Sequence, residues 1–169
     1  GVQLGSLGTD NLDLREDLRS PWYLNRGDLL EISVIFHPVG VGDHLDRIVI
    51  VSNDESRPPL EVRLSGRGVV PDLQVNPSPV DFADVRVGLS VSREVQLVNA
   101  GGADLSITGI QLVSASGEFE LSSDPADGFD LANLSADNPQ VLIPAESRLV
   151  TIVLTPADTG TETAQLQIE

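Results

Sequence analysis

The chain has 169 residues, with 26 acidic and 10 basic side chains and a formal net charge of −16. A surface of that sign repels phosphates, so we expect no nucleic-acid partner. Hydrophobic residues make up 40% of the chain, enough for a packed core. No apolar run reaches the roughly 20 residues that span a bilayer, so no membrane insertion is expected in this segment. Cysteine is absent, which excludes disulfides, thiol catalysis and thiolate metal sites.

Apolar and polar residues alternate along every strongly patterned segment. In chain order these segments are residues 31–38, 60–64, 93–98, 149–156 and 164–168. A period of two is typical of half-buried β-strands, whereas the helical period fits only weakly. Turn-forming residues separate the segments at positions 52–59, 76–79 and 98–103. Short alternating strands with frequent turns predict an all-β chain of antiparallel sheets packed as a sandwich.

One unit occurs twice in the chain. At an offset of 118 residues the strand that ends in Pro38 matches the strand that ends in Pro156. Residues 1–4 match residues 109–112 at an offset of 108, which gives the second copy about ten extra residues. The matched pairs at the offset of 118 are Ile32 and Val150, Val34 and Ile152, Phe36 and Leu154, Gly42 and Gly160, Ile48 and Leu166, and Ile50 and Ile168.

Several stretches of both copies resemble one family of immunoglobulin-like repeats. In the second copy these are residues 75–88, residues 95–108 with an Asn-x-Gly turn, and residues 143–147 and 153–156 with Gly160 after them. In the first copy, residues 34–38, 51–54 and 62–68 look like the closing half of such a repeat. Together they resemble the ASH repeat, also called the choice-of-anchor D or HYDIN-like repeat. The resemblance implies tandem immunoglobulin-like antiparallel β-sandwiches with about seven strands per repeat.

Aligned on each other, the two copies are incomplete in complementary ways. We expect residues 1–70 to be the C-terminal part of a first immunoglobulin-like repeat, and residues 71–169 a second repeat that lacks its last strand. The chain begins with Gly1 and contains no methionine, so we expect a processed or excised piece of a longer protein. Two interpretations stay open: a segment of a tandem array, or sandwiches completed by strands of another chain.

The alternation also predicts which residues face the core. The inward positions are predicted to be Ile32, Val34, Phe36, Ile48, Ile50, Val95, Leu97, Ile107, Ile110, Val150, Ile152 and Leu154.

The sequence offers little catalytic chemistry. His37 and His44 are the only side chains that titrate near neutral pH, and their spacing fits no metal site on a helix. No Gly-x-Ser-x-Gly sequence is present to form a nucleophile elbow. Few aromatic residues argue against a stacking platform, and of the adjacent pair Trp22 and Tyr23 we expect one in the core. We therefore predict a protein that is not an enzyme, with no catalytic residue, no cofactor and no metal ligand assigned.

Two short motifs have both a functional and an ordinary interpretation. Asp124, Asp127 and Asp130, with Asp137 further on, could supply oxygen ligands to calcium, but the spacing differs from an EF-hand and equally suits a solvated loop. Residues 26–28 spell the Arg-Gly-Asp tripeptide that integrins recognise. The second copy has Pro-Ala-Glu there, so we expect a simple turn before a strand.

These observations predict a non-catalytic structural or interaction module. The resemblance to bacterial choice-of-anchor D proteins implies a tandem-repeat spacer or stalk segment of a large extracellular or cell-surface protein. Its partners would be proteins: neighbouring repeats, or other copies in a homo-oligomer or filament. The alternatives are a filament or sheath subunit built by strand complementation, a calcium- or glycan-binding adhesion module, and a cytoskeletal scaffold of the cilium type.

Overall fold

The computed structural model describes residues 22–123 and 129–169, together with the backbone of residues 3–6 and 12–14. These described residues form β-strands, turns and one short 3-10 helix, Leu131–Asn133, and every strand pairing is antiparallel. The prediction of an all-β fold is confirmed. The chain divides into two compact units, Gly1–Val69 and Val70–Glu169, called unit 1 and unit 2 below.

Unit 1 contains five strands among its described residues. A three-stranded sheet has the order β1-β4-β5, and a separate pair joins β2 to β3. The central strand β4 is therefore paired on both of its edges. The strands are β1 (Gln3–Ser6), β2 (Leu12–Leu14), β3 (Val34–Phe36), β4 (Gly42–Val51) and β5 (Leu60–Gly68).

Unit 2 contains eight strands in the part that the structure describes. One sheet has the order β10-β12-β7-β6, and two further pairs join β11 to β8 and β13 to β9. The long pairing of β7 with β12 spans eight residues on each strand, from Ser147 opposite Val98 to Leu154 opposite Val91. The strands are β6 (Leu73–Asn76), β7 (Val91–Asn99), β8 (Leu105–Ile107), β9 (Ile110–Ser114), β10 (Phe119–Ser122), β11 (Gln140–Leu142), β12 (Ser147–Leu154) and β13 (Ala164–Ile168).

The core of unit 2 forms where the alternation predicts it. Ile110 is half-buried and packs against this core, together with Leu112, Leu166 and Ile168. Phe82, Phe129 and Leu142 are also buried, although the alternation did not single them out. The predicted inward positions that are buried in unit 2 are Val95, Leu97, Ile107, Val150, Ile152 and Leu154.

In unit 1 part of the predicted core is wrong. Ile48 is buried, but Ile32 and Ile50 are only half-buried, and Val34 and Phe36 are each 37% exposed. The reason lies in the pairing: β3 pairs only with β2 among the described residues, whereas its counterpart β12 lies between β10 and β7. A strand with a neighbour on one edge only has side chains packed beside its own on one side, so its apolar residues stay more exposed.

Two strand pairs occur in both units with matching register. In unit 1, Phe36 lies opposite Leu12. Its counterpart in unit 2, Leu154, which is 118 residues later, lies opposite Phe119. Ile50 likewise lies opposite Leu4 as Ile168 lies opposite Ile110.

The second of these pairs corrects the alignment of the first strand. Leu4 corresponds to Ile110, an offset of 106, whereas the sequence pattern suggested 108 with Leu4 on Leu112. A shift of two residues leaves every side chain on the same face of the sheet, so alternation alone cannot detect it.

Asn99 joins the elements at one end of unit 2. Its side chain accepts hydrogen bonds from the backbone N–H groups of Asp72 (3.3 Å) and Gly101 (3.0 Å). It donates to the carbonyl oxygens of Ala103 (2.8 Å) and Leu142 (2.9 Å). Asn99 is fully buried, and its Oδ1 and Nδ2 each bind two backbone groups. The Asn-x-Gly turn is thus a polar hub that ties β7 to the strand ends around it.

Candidate functional site

A cavity of about 850 Å³ opens into the core of unit 2. One wall is residues 77–85, which connect β6 to β7, and the opposite wall is β13 with the turn before it. Core side chains contribute to its lining beside polar groups of the two walls. The core residues that line it are Val95, Leu112, Phe119, Ile152, Leu154, Leu166 and Ile168.

Strand β13 borders this cavity with one unpaired edge. It pairs with β9, and no other described strand pairs with it. Glu169 donates its N–H to the carbonyl oxygen of Gly109 (2.9 Å), and the N–H of Gly109 returns a hydrogen bond to Glu169 O (3.4 Å). Because an antiparallel strand alternates the direction of its backbone groups, Gln167 and Gln165 also face β9. The N–H and C=O groups of Ala164, Leu166 and Ile168 therefore face the unpaired edge.

Three carboxylates meet near the start of β13. Glu118, Asp158 and Glu162 each offer an oxygen within 4.8 Å of the others. Glu118 Oε1 accepts a hydrogen bond from the N–H of Ala157 (2.8 Å), whereas its Oε2 is buried without a hydrogen-bond partner. These residues form the acidic cluster, which makes the surface near the start of β13 negative. Asp158 and Glu162 flank Gly160, but nothing in the sequence indicates that Glu118 lies beside them.

A second charged group lies in the turn between β11 and β12. The carboxylate of Glu146 accepts a hydrogen bond from the N–H of Ile143 (2.9 Å) and forms an ion pair with Arg148. The backbone hydrogen bond, helped by the Arg148 guanidinium, lowers the pKa of Glu146 below its ordinary value of 4.5. This pair holds the turn and lines no part of the cavity.

The two histidines lie in unit 1. His44 Nε2 is 3.0 Å from the carbonyl oxygen of Gly40, and its ring lies 5.7 Å from that of Phe36. His37 is exposed at the end of β3. The structure places neither of them in a group of possible metal ligands among the described residues.

The Arg-Gly-Asp sequence forms the predicted turn. The N–H of Asp28 donates to Asn25 O (3.0 Å), and its carboxylate accepts hydrogen bonds from the backbone and side chain of Asn25 (2.7 and 2.9 Å). Of the aromatic pair next to it, Trp22 is half-buried and Tyr23 is exposed, so neither is fully in the core.

The predicted calcium loop is only partly described. Asp124 and Asp127 lie outside the described residues. The carboxylate of Asp130 accepts hydrogen bonds from the N–H of Ala132 (3.0 Å) and from Asn133 Nδ2 (2.6 Å), so it caps the short 3-10 helix. Asp137 is exposed.

No family model matches the chain, and no curated protein matches its sequence. The described part of the chain contains no helix with the length and hydrophobicity needed to span a bilayer.

Proposed function

We propose that the chain is a non-catalytic structural module, a tandem-repeat spacer or stalk segment of a large extracellular or cell-surface protein. The observation that carries the proposal is the matching register of two strand pairs in the two units. The pair β2–β3 of unit 1 matches the pair β10–β12 of unit 2, and the pair β1–β4 matches the pair β9–β13. In both matches, adding 118 to the residue numbers of β3 and β4 gives their counterparts in β12 and β13. Repetition of one packed unit along a chain is the architecture by which proteins build length.

The resemblance to ASH repeats supports an immunoglobulin-like fold for each unit. The Asn-x-Gly turn, one of the features behind that resemblance, has a definite structural role here, because Asn99 binds four backbone groups. The resemblance to bacterial choice-of-anchor D proteins supports the surface location. The high negative charge suits an exposed module, because it keeps neighbouring molecules apart by repulsion.

The first experiment measures the molar mass of the purified chain by light scattering over a hundredfold range of concentration. A spacer module stays monomeric, at 18.0 kDa throughout. A mass that rises with concentration would refute the spacer function and favour the second candidate, a filament or sheath subunit built by strand complementation. The unpaired edge of β13 and the exposed apolar strand β3 are the observations in favour of that candidate.

The second experiment tests the surface location in the source organism. An antibody raised against the 169-residue chain is added to intact cells and, in parallel, to permeabilised cells. A surface protein is labelled on intact cells, and external protease removes the signal. Labelling that requires permeabilisation would refute the surface location and favour a cytoskeletal scaffold.

A further inference from the structure

Strand β4 of unit 1 shows what lies on the edge that β13 leaves unpaired. β4 pairs with β1 on one edge and with β5 on the other. In unit 2, Ile168 of β13 lies opposite Ile110 of β9. Its counterpart 118 residues earlier, Ile50 of β4, lies opposite Leu4 of β1 in the same way. The edge of β13 that faces away from β9 is therefore the counterpart of the edge of β4 that binds β5.

A residue that packs against β5 in unit 1 has its counterpart in the lining of the unit 2 cavity. A Cβ atom added to Gly66 of β5 would lie 2.7 Å from Phe36 Cε1, so the Phe36 ring lies directly against the backbone of β5. The counterpart of Phe36 is Leu154, and Leu154 lines the cavity. The side chain that covers β5 in unit 1 thus has a counterpart that faces the cavity in unit 2.

Acidic side chains lie near this edge in both units, although not at the same position. Arg67 of β5 lies opposite Asp43 of β4, and its Nη1 is 3.6 Å from the Asp43 carboxylate. The counterpart of Asp43 is Thr161, which lies between Asp158 and Glu162 in sequence. A strand that carries arginine at the Arg67 position would therefore bring a cation to the acidic cluster.

We propose that the unpaired edge of β13 binds an antiparallel partner strand with the residue pattern of β5. The partner forms backbone hydrogen bonds with Ala164, Leu166 and Ile168, and its alternate apolar side chains fill the cavity. It carries glycine over Leu154 and arginine beside the acidic cluster. This inference rests on the proposed repeat relationship and adds to it the surface and the chemistry of the partner.

The probe is a synthetic peptide of residues 57–68, which contains β5, labelled with fluorescein and titrated with the full 169-residue chain. We expect saturable 1:1 binding. Hydrogen exchange followed by NMR then locates the site: the peptide slows exchange of the Ala164, Leu166 and Ile168 amides. The amides of Gln165 and Gln167 face β9, so they are already protected without the peptide.

Two N-methylated peptides provide a matched control. Val62 lies opposite Ile48, the counterpart of Leu166, so its N–H faces the bound edge, whereas the N–H of Arg63 faces away. Methylation of the Val62 nitrogen should weaken binding by about tenfold or more, because it removes one backbone hydrogen bond and places a methyl group in the ladder. Methylation of the Arg63 nitrogen should change the affinity by less than about twofold. Equal effects would overturn the proposed register.

The acidic cluster is tested by Glu162→Gln in the protein. Removal of this half-buried charge should weaken peptide binding by roughly two- to fivefold at low salt, and by less at high salt. A monomeric chain that does not bind the peptide would overturn the strand site and leave the spacer function standing. A chain whose mass doubles, with the Leu166 amide protected before any peptide is added, would show that a second copy occupies the edge and would overturn the proposed occupant.

Discussion

Substitution of Asn99 by alanine should destabilise unit 2 more than the same change at any other polar residue that the structure describes. The side chain is fully buried and binds four backbone groups, two through Oδ1 and two through Nδ2. These groups belong to the segment before β6, the turn after β7, and β11. Alanine can satisfy none of them.

The magnitude follows from the number of hydrogen bonds. A typical intramolecular hydrogen bond contributes about 1 kcal/mol net, and a buried group left without a partner costs about 1–3 kcal/mol. The bond to Leu142 O is buried and the other three are partly buried, so water can rescue some of these groups. We therefore expect Asn99→Ala to lower the free energy of unfolding of unit 2 by roughly 3–5 kcal/mol. That is a large share of the 5–15 kcal/mol typical of a domain.

The assay must report on unit 2 alone. Trp22, the one tryptophan, lies in unit 1, so its fluorescence reports on the other unit. Native-state hydrogen exchange at the amides of Val95 and Val150, in the long pairing of β7 with β12, measures the unfolding of unit 2 directly. Asn138→Ala is the control: Asn138 is exposed, its side chain donates one hydrogen bond, and the expected loss is under about 1 kcal/mol. A loss below about 1 kcal/mol for Asn99→Ala as well would refute the role of Asn99 as a hub.

Two further predictions concern unit 2. Leu97→Ala removes a fully buried side chain and should lower the free energy of unfolding of unit 2 by about 2–5 kcal/mol. Leu149 is 46% exposed, so Leu149→Ala should lower it by less than about 1.5 kcal/mol. The same hydrogen-exchange measurement compares the two variants, and equal losses would contradict the assigned core. Glu146→Gln should destabilise unit 2 at pH 7, because the lowered pKa of Glu146 means that folding favours the ionised carboxylate. That stabilisation is present above the ordinary pKa of 4.5 and is lost as the pH falls through the lowered pKa of the folded state, so the difference in melting temperature should shrink in acid. A difference that is constant from pH 7 to pH 3 would show that the charge of Glu146 is not the cause.

Much of the fold could be predicted from the sequence, because alternation is a direct consequence of strand geometry. Residues 164–168 were predicted as a strand and form β13 with the same bounds, and residues 93–98 lie within β7. The turn at residues 98–103 was also predicted, from asparagine and glycine. The four hydrogen bonds of Asn99 were not predicted, since two of its partners, Asp72 and Leu142, are distant in sequence.

Alternation does not say whether a strand face is covered. Val34 and Ile152 occupy matching positions and have similar side chains, yet Val34 is exposed and Ile152 is buried. The difference comes from neighbours: β12 has a strand on both edges, and β3 has one on a single edge among the described residues. Burial is therefore a property of the assembled layers, and the sequence of one strand carries only the potential for it.

The unpaired edge of β13 could not be predicted from the sequence either. No motif marks the unpaired edge of β13, because its residues have the ordinary pattern of a half-buried strand. The edge becomes visible only when β13 is compared with β4, which carries the same alternation and a further strand beside it. Backbone groups of an unpaired edge strand can bind any strand that approaches, so specificity has to come from side chains. In unit 2 the side chains near that edge are Leu154 in the cavity and the three carboxylates of the acidic cluster, and the proposed selection of a strand that resembles β5 depends on them.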